Sequence, residues 1–190
     1  HTGTFGLMGT LSFNGNKIAT TGGGGAVLTM DPELGKLAKH LTTTAKVPHR
    51  WRFEHDMVAY NYRLPNINAA LGCAQLESLS GAVERKRRLF CRYQSAFSSV
   101  KGLRLMQEPA GCTSNYWLQT LILDESMAHL QDSILAATND AGLMTRPAWT
   151  PMHQLPHFAT CPRDALPVTE SLARRIINIP SSPQLLDGEV

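Results

Sequence analysis

The stretch Ser12-Phe13-Asn14-Gly15-Asn16-Lys17-Ile18-Ala19-Thr20-Thr21-Gly22-Gly23-Gly24-Gly25 decides how the rest of the chain is read. An apolar run over Thr10 to Phe13 meets a polar turn carrying one lysine. A β-branched run, Ile18 to Thr21, leads into four glycines and the strand-like Ala26 to Thr29. The pattern predicts strand, lysine turn, strand, glycine turn, strand. A lysine amine is nucleophilic only when deprotonated, and from a reference pKa of about 10.4 that takes desolvation or a neighbouring cation. Four glycines remove every Cβ and admit positive φ, so backbone can approach a planar or anionic ligand closely. On residue types alone, the stretch also fits a flexible hairpin with a solvent-exposed lysine.

Downstream, Asp31-Pro32-Glu33-Leu34 predicts a helix start, and Leu34, Leu37, Ala38 and Leu41 recur at helical spacing. Thr42 to Thr44 and Pro48 open a polar loop to about Val58, in which His49 and His55 fit hydrogen-bonded loop histidines better than proton carriers. From Pro65 to about Val100 the periodicity predicts one helix, with Gly81 as its bend; at 1.5 Å per residue it would run roughly 50 Å, long enough to bridge two parts of a molecule. Past Gly102 the pattern is strand (Leu103 to Met106), strand (Tyr116 to Leu123), helix (Ser126 to Ala141) and strand (Leu143 to Pro147), a small α/β layer of mainly antiparallel strands.

With 43% hydrophobic and 17% charged residues the 190-residue chain has the composition of a soluble globular protein, and a net charge of +3 is too mild to imply nucleic acid. The densest basic cluster, Arg85 to Arg88, reads as a solvated helix face. No apolar run approaches the roughly 20 residues of a membrane helix. The four cysteines are widely spaced, with no Cys/His pattern of metal-ligand spacing, and predict reduced thiols in a cytoplasmic protein. The order Gly-x-x-x-x-Gly-Lys-Ser/Thr of a nucleotide phosphate loop is missing.

Three further stretches carry chemistry. Glu54-His55-Asp56-Met57-Val58-Ala59-Tyr60-Asn61-Tyr62-Arg63-Leu64-Pro65-Asn66-Ile67-Asn68-Ala69-Ala70-Leu71-Gly72-Cys73-Ala74-Gln75-Leu76 offers an amide and a guanidinium, Asn61 and Arg63, suited to a phosphate. Thr145-Arg146-Pro147-Ala148-Trp149-Thr150-Pro151-Met152-His153-Gln154-Leu155-Pro156 offers an arginine and an aromatic ring, although Trp149 fits a core position equally well. Ile176 to Ser182 closes the pattern with a strand and a Pro-Ser-Ser loop.

Together these motifs, in this order from about residue 3 to 182, resemble the DegT/DnrJ/EryC1/StrS family of pyridoxal-phosphate-dependent sugar aminotransferases. The lysine motif fits at Ser12, Phe13, Lys17, Thr21, Gly22, Gly24 and Gly25, with Gly23 where many members carry glutamate and Ala59 where the second signature has glycine. The resemblance implies an α/β fold, the C-terminal part of a fold-type I pyridoxal-phosphate-dependent transferase. Residues 1–64 would be the end of the large cofactor domain, 65–101 a linking helix, and 102–190 a small α/β domain. It also implies that Lys17 forms the Schiff base with pyridoxal 5'-phosphate and carries protons, and that Ser12 helps hold the cofactor phosphate. Asn61 and Arg63 would reach the phosphate of a neighbouring subunit across a homodimer, and Arg146, Trp149 and His153 would contact the substrate. That substrate would be a nucleotide-linked keto-deoxysugar, most similar to the UDP-linked sugars of surface polysaccharide or nonulosonate biosynthesis, with glutamate as amino donor.

The family's ring-pairing aspartate, stacking aromatic and phosphate loop lie upstream of the part that begins at His1, so residues 1–190 alone are expected to be inactive and to bind cofactor weakly. The alternative is a noncatalytic α/β module that only dimerises or binds partners.

Overall fold

Two short strands, β1 (Gly9–Ser12) and β2 (Gly25–Leu28), pair antiparallel with Gly9 opposite Leu28 and Ser12 opposite Gly25, so the lysine turn and the glycine run are the loop of one hairpin. The computed structural model describes residues 1–186. The chain divides into two compact units, His1–Ser80 and Gly81–Val190.

In the first unit the predicted strand over Ile18 to Thr21 does not form. Thr20 Oγ1 donates to the Phe13 carbonyl (3.1 Å) and accepts the Gly22 N–H (2.9 Å), while the Thr21 N–H donates to the same Phe13 carbonyl (3.0 Å). Threonine side chains thereby take backbone groups that a ladder would need, and the segment folds into bends. Helix α1 (Pro32–Thr42) starts as the sequence predicts. Asp31 caps it by accepting the N–H groups of Glu33 (2.8 Å) and Leu34 (3.2 Å), proline occupies its first turn, and Lys39 and His40 lie in its last turn. The loop that follows is irregular, joined by the isolated bridges Thr43 to Asn61 and Lys46 to His55.

The helix predicted over 65–100 is two helices, α2 (Asn66–Glu77) and α3 (Leu79–Phe97). The interruption is at Ser78 instead of Gly81. The Ser78 hydroxyl donates back to the carbonyls of Ala74 (3.1 Å) and Gln75 (3.2 Å), the local bonding by which serine competes with the helical ladder.

The second unit carries a four-stranded sheet in the order β3-β4-β6-β5, every neighbouring pair antiparallel. Its strands are β3 (Leu103–Leu105), β4 (Gln119–Leu123), β5 (Arg146–Pro147) and β6 (Ile176–Ile179). A 3-10 helix (Glu125–Leu130) runs into α4 (Gln131–Asp140), where the sequence predicts one helix, and α5 (Pro167–Ala173) adds a short helix that the periodicity does not predict. β6 alternates by the period of a strand, with Ile177 and Ile179 buried and Ile176 and Asn178 half-buried. These isoleucines join Phe90, Leu105, Tyr116, Leu121 and Leu123 in one core.

The basic cluster is not a solvated face. Lys86 is buried and donates to the carbonyls of Trp117 (3.1 Å) and Ser181 (2.5 Å). Arg87 grips both Glu108 oxygens, at 2.6 and 2.9 Å. Position along α3 explains this, because Lys86, Leu89 and Phe90 share the face turned to the core. The Glu108 carboxyl, also accepting the Ser114 N–H (2.5 Å), is held down at about 2, chiefly by its hydrogen bonds with Arg87. Burial lowers the Lys86 amine. No helix among the described residues is long and apolar enough to cross a membrane, and Cys73, Cys91, Cys112 and Cys161 are exposed free thiols.

Candidate functional site

Lys17 sits half-buried at the end of a tight turn, its N–H donating to the Asn14 carbonyl at 3.0 Å. Ser12, the last residue of β1, is exposed and accepts the Asn14 N–H at 3.4 Å. The turn is held from behind by α2. Asn68 Nδ2 donates to the Thr21 carbonyl (2.5 Å), Gln75 Oε1 accepts the Thr20 N–H (3.3 Å), and a Cβ at Gly72 would come within 2.9 Å of the Thr21 side chain. Residues 68, 72 and 75 share one helix face at i, i+4 and i+7. That spacing marks one helix face in the sequence, and the contacts with Thr20 and Thr21 make that face the lysine turn's support.

The glycine run differs from position to position. Gly24 has φ +94° and a Cβ there would meet Leu64 at 2.7 Å, while at Gly25 it would meet the Leu11 carbonyl oxygen at 2.4 Å. Both positions require glycine. At Gly23 a Cβ would meet nothing within 4 Å, so a larger side chain has room there. Ala59 is not among the positive-φ residues, so alanine in place of the usual glycine strains nothing at that position.

Arg63 and the glycine run line the same cavity, about 770 Å³ in volume, together with Tyr62, Leu64 and Asn68. Lys17, Ser12 and Asn61 are not among its lining residues. Residues 60–62 run alongside the end of α1, the Tyr60 and Tyr62 N–H groups donating to the carbonyls of Leu41 and Thr42 at 2.9 Å each. Tyr60 and Tyr62 stack at 5.2 Å, while exposed Asn61 bridges to Thr43 and Arg63 Nη2 donates to the Thr43 carbonyl at 3.1 Å. The loop histidines are hydrogen-bonded. His49 Nδ1 accepts the N–H groups of Trp51 (3.2 Å) and Arg52 (3.0 Å), and His55 Nδ1 donates to the Thr44 carbonyl (2.6 Å).

In the second unit, Arg146 lies exposed on β5, opposite Asn178 of β6. Trp149 is 70% exposed, which removes the core reading, and its ring stacks on Trp117 with centroids 6.2 Å apart. His153 Nε2 lies 3.0 Å from Glu170 Oε1 of α5, so that nitrogen is engaged within the protein. No group of three or more His, Cys, Asp or Glu side chains that would hold a metal ion occurs among the described residues.

Comparison with known proteins identifies the family. The chain matches the DegT/DnrJ/EryC1/StrS aminotransferase family over residues 1–190. It is 38% identical over 191 residues to EpsN of Bacillus subtilis (strain 168), covering 98% of this chain and 48% of that protein. To GDP-perosamine synthase of Vibrio cholerae it is 34% identical, covering 99% of this chain and 51% of the synthase. Among solved structures, the aminotransferase TlmJ from Streptoalloteichus hindustanus superposes with a TM-score of 0.87 at 30% identity, over 96% of this chain and 48% of TlmJ. Helicobacter pylori PseC, at 22% identity and a TM-score of 0.90, shares the fold over 97% of this chain and 50% of PseC. The chain thus spans about half the length of the relatives it matches. On its sequence and its fold, it belongs to the DegT/DnrJ/EryC1/StrS aminotransferase family.

Proposed function

We propose that the complete protein containing this chain is a pyridoxal-phosphate-dependent aminotransferase acting on a nucleotide-linked keto-deoxysugar, with Lys17 as its catalytic residue. The observation that carries the reading is the lysine turn itself. Lys17 stands between Ser12 and a glycine run that two positions hold to glycine, and α2 fixes the turn through Asn68 and Gln75. The residues present fit pyridoxal 5'-phosphate: an amine for covalent attachment at Lys17 Nζ, and the Ser12 hydroxyl, the Asn61 amide and the Arg63 guanidinium for its phosphate. When bound, the cofactor supplies the electron sink that makes the donor's Cα proton labile. Lys17 Nζ would hold the cofactor at rest and, freed when the donor's amine takes its place, would take and return that proton as general base and acid. Ser12 serves its own chain's phosphate, whereas Asn61 and Arg63 serve that of a second copy in a homodimer. Arg146, Trp149 and His153 position the nucleotide-linked sugar.

The substrate read here is UDP-linked, in surface polysaccharide or nonulosonate biosynthesis in the cytoplasm, with glutamate as donor. A second reading, a GDP-linked sugar, rests on the 34% identity to GDP-perosamine synthases of Vibrio cholerae and Escherichia coli O157:H7. Competition by UDP, GDP and dTDP against turnover separates the two. The shared site is tested by mixing inactive Lys17→Ala and inactive Arg63→Ala subunits. Each hybrid dimer would keep one site with Lys17 and its partner's Arg63 intact, so part of the activity returns; no return despite demonstrated subunit exchange rules the shared site out.

A further inference from the structure

Trp117 lies three residues before Thr120 of β4, and Trp149 three residues after Arg146 of β5; Thr120 and Arg146 both pair with Asn178 of β6. β4 and β5 therefore run in the same direction. Straight continuations of the two strands would set the tryptophans roughly 20 Å apart along the sheet, at about 3.3 Å per residue. Their rings are nevertheless stacked, 6.2 Å between centroids and 25° between planes, inside the range of offset aromatic pairs. The chain achieves this by turning. It bends at Trp117 and Leu118, and no strand continues past Pro147.

The turn is built at a cost. Tyr116, immediately before Trp117, is a buried aromatic residue with φ +46°, a left-handed conformation that a Cβ disfavours. Strain of this kind persists only where the surroundings over-determine it, and here they do. The Tyr116 ring stacks on Phe90 at 4.2 Å, and its N–H donates to Ser114 Oγ at 3.0 Å. The Trp117 N–H donates to Asn115 Oδ1 (3.0 Å), and its carbonyl accepts from buried Lys86 Nζ, which also ties Ser181 of the closing loop. The backbone of Trp117 is thus pinned on both sides, while its ring supports a neighbour that is 70% exposed.

We infer that Trp117 is a positioning residue for nucleotide recognition: stacked behind Trp149, it fixes the plane on which the flat base of the substrate's nucleoside diphosphate lies. The inference rests on the reading of Trp149 as a base contact. The outward ring has a face for a planar ligand, and holding it in place before binding removes part of the ordering cost of association. Acting through Trp149 on the base alone, its loss is expected to weaken nucleotide affinity and raise KM, with kcat little changed.

The test is calorimetric titration of the complete protein with UDP, GDP and dTDP, alongside the exciton couplet that a stacked indole pair gives in circular dichroism. Trp149→Ala is expected to weaken the best of the three about tenfold, and Trp117→Leu about three- to tenfold, with Trp117→Phe close to the unsubstituted protein. Both Trp149→Ala and Trp117→Leu should lose the couplet. If Trp149→Ala weakens binding but folded Trp117→Leu binds normally, the role of Trp117 is overturned and that of Trp149 stands. If Trp149→Ala is without effect, or none of the three nucleotides binds, the base contact fails and the inference with it. Should Trp117→Leu not fold, the unsubstituted protein decides: saturating nucleotide changes the couplet if a base stacks on the pair, and an unchanged couplet overturns the proposal.

Discussion

The two units bury their apolar side chains to very different degrees. Gly81–Val190 has a continuous core in which Ile177 is 1% and Leu123 2% exposed. In His1–Ser80 the buried residues among those described are Gly9, Thr21 and Ala45, while Met30 is 98% exposed, Phe5 and Val58 89%, and Ile67 86%. The first unit holds Lys17, Ser12, Asn61 and Arg63, and the second holds the buried apolar core. With Gly9, Thr21 and Ala45 the buried residues among those described there, the lysine turn is held by the hydrogen bonds from α2 and not by an apolar core. The second unit's geometry depends on its own core.

The comparison is most sharply broken by dissecting the chain. Residues 81–186 expressed alone are expected to unfold cooperatively with native-like near-ultraviolet dichroism, and residues 1–80 alone to show no cooperative transition. A cooperative first unit, or a molten second one, would reverse the assignment. Within the second unit, Ile177→Ala should cost about 2–5 kcal/mol in denaturant melts, the range for large-to-small changes at a buried site. A cost below about 1 kcal/mol would mean that the core is not where the unit's stability resides. Lys86→Ala would leave the carbonyls of Trp117 and Ser181 without their buried donor and should cost about 1–3 kcal/mol. Relief of the buried charge offsets part of that loss, so a stabilised variant would show that desolvation outweighs the two hydrogen bonds.

The smallest effect is electrostatic. Glu108 is held at about 2 against an ordinary 4.5, so the folded state binds fewer protons than the unfolded one between those values. Its contribution is fully present above about pH 4.5 and is lost as pH falls through about 2. Glu108→Gln should flatten that acid limb of the second unit's stability curve. An unchanged limb would place the acid sensitivity on other carboxylates.

These differences also explain what the sequence made legible. Helix α1 was legible because its signals are local: Asp31, Pro32 and an apolar period. The lysine motif was legible for the same reason, as a short run of residue types. The lost strand over 18–21 was not, because the threonine bonds to Phe13 and Gly22 depend on how the hairpin closes. Arg85 to Arg88 misled because a basic run carries no mark of which helix face meets the core, and Lys86 and Arg87 find their partners 21 to 95 residues away. Trp117 was not legible because its stacking contact is with a residue 32 positions on, made through a turn at Tyr116 that no residue pattern announces. Asn68, Gly72 and Gln75 did carry a pattern, one helix face, but what that face supports is a tertiary fact.

The central claim is that Lys17 holds the cofactor. Its direct test is to incubate the complete protein with pyridoxal phosphate, reduce with borohydride, digest, and locate the fixed pyridoxyl mass by sequencing the labelled peptide. The account predicts a single major label on the peptide containing Lys17, absent from Lys17→Ala. Equal labelling of that variant, or a label mapped to another lysine, would contradict it.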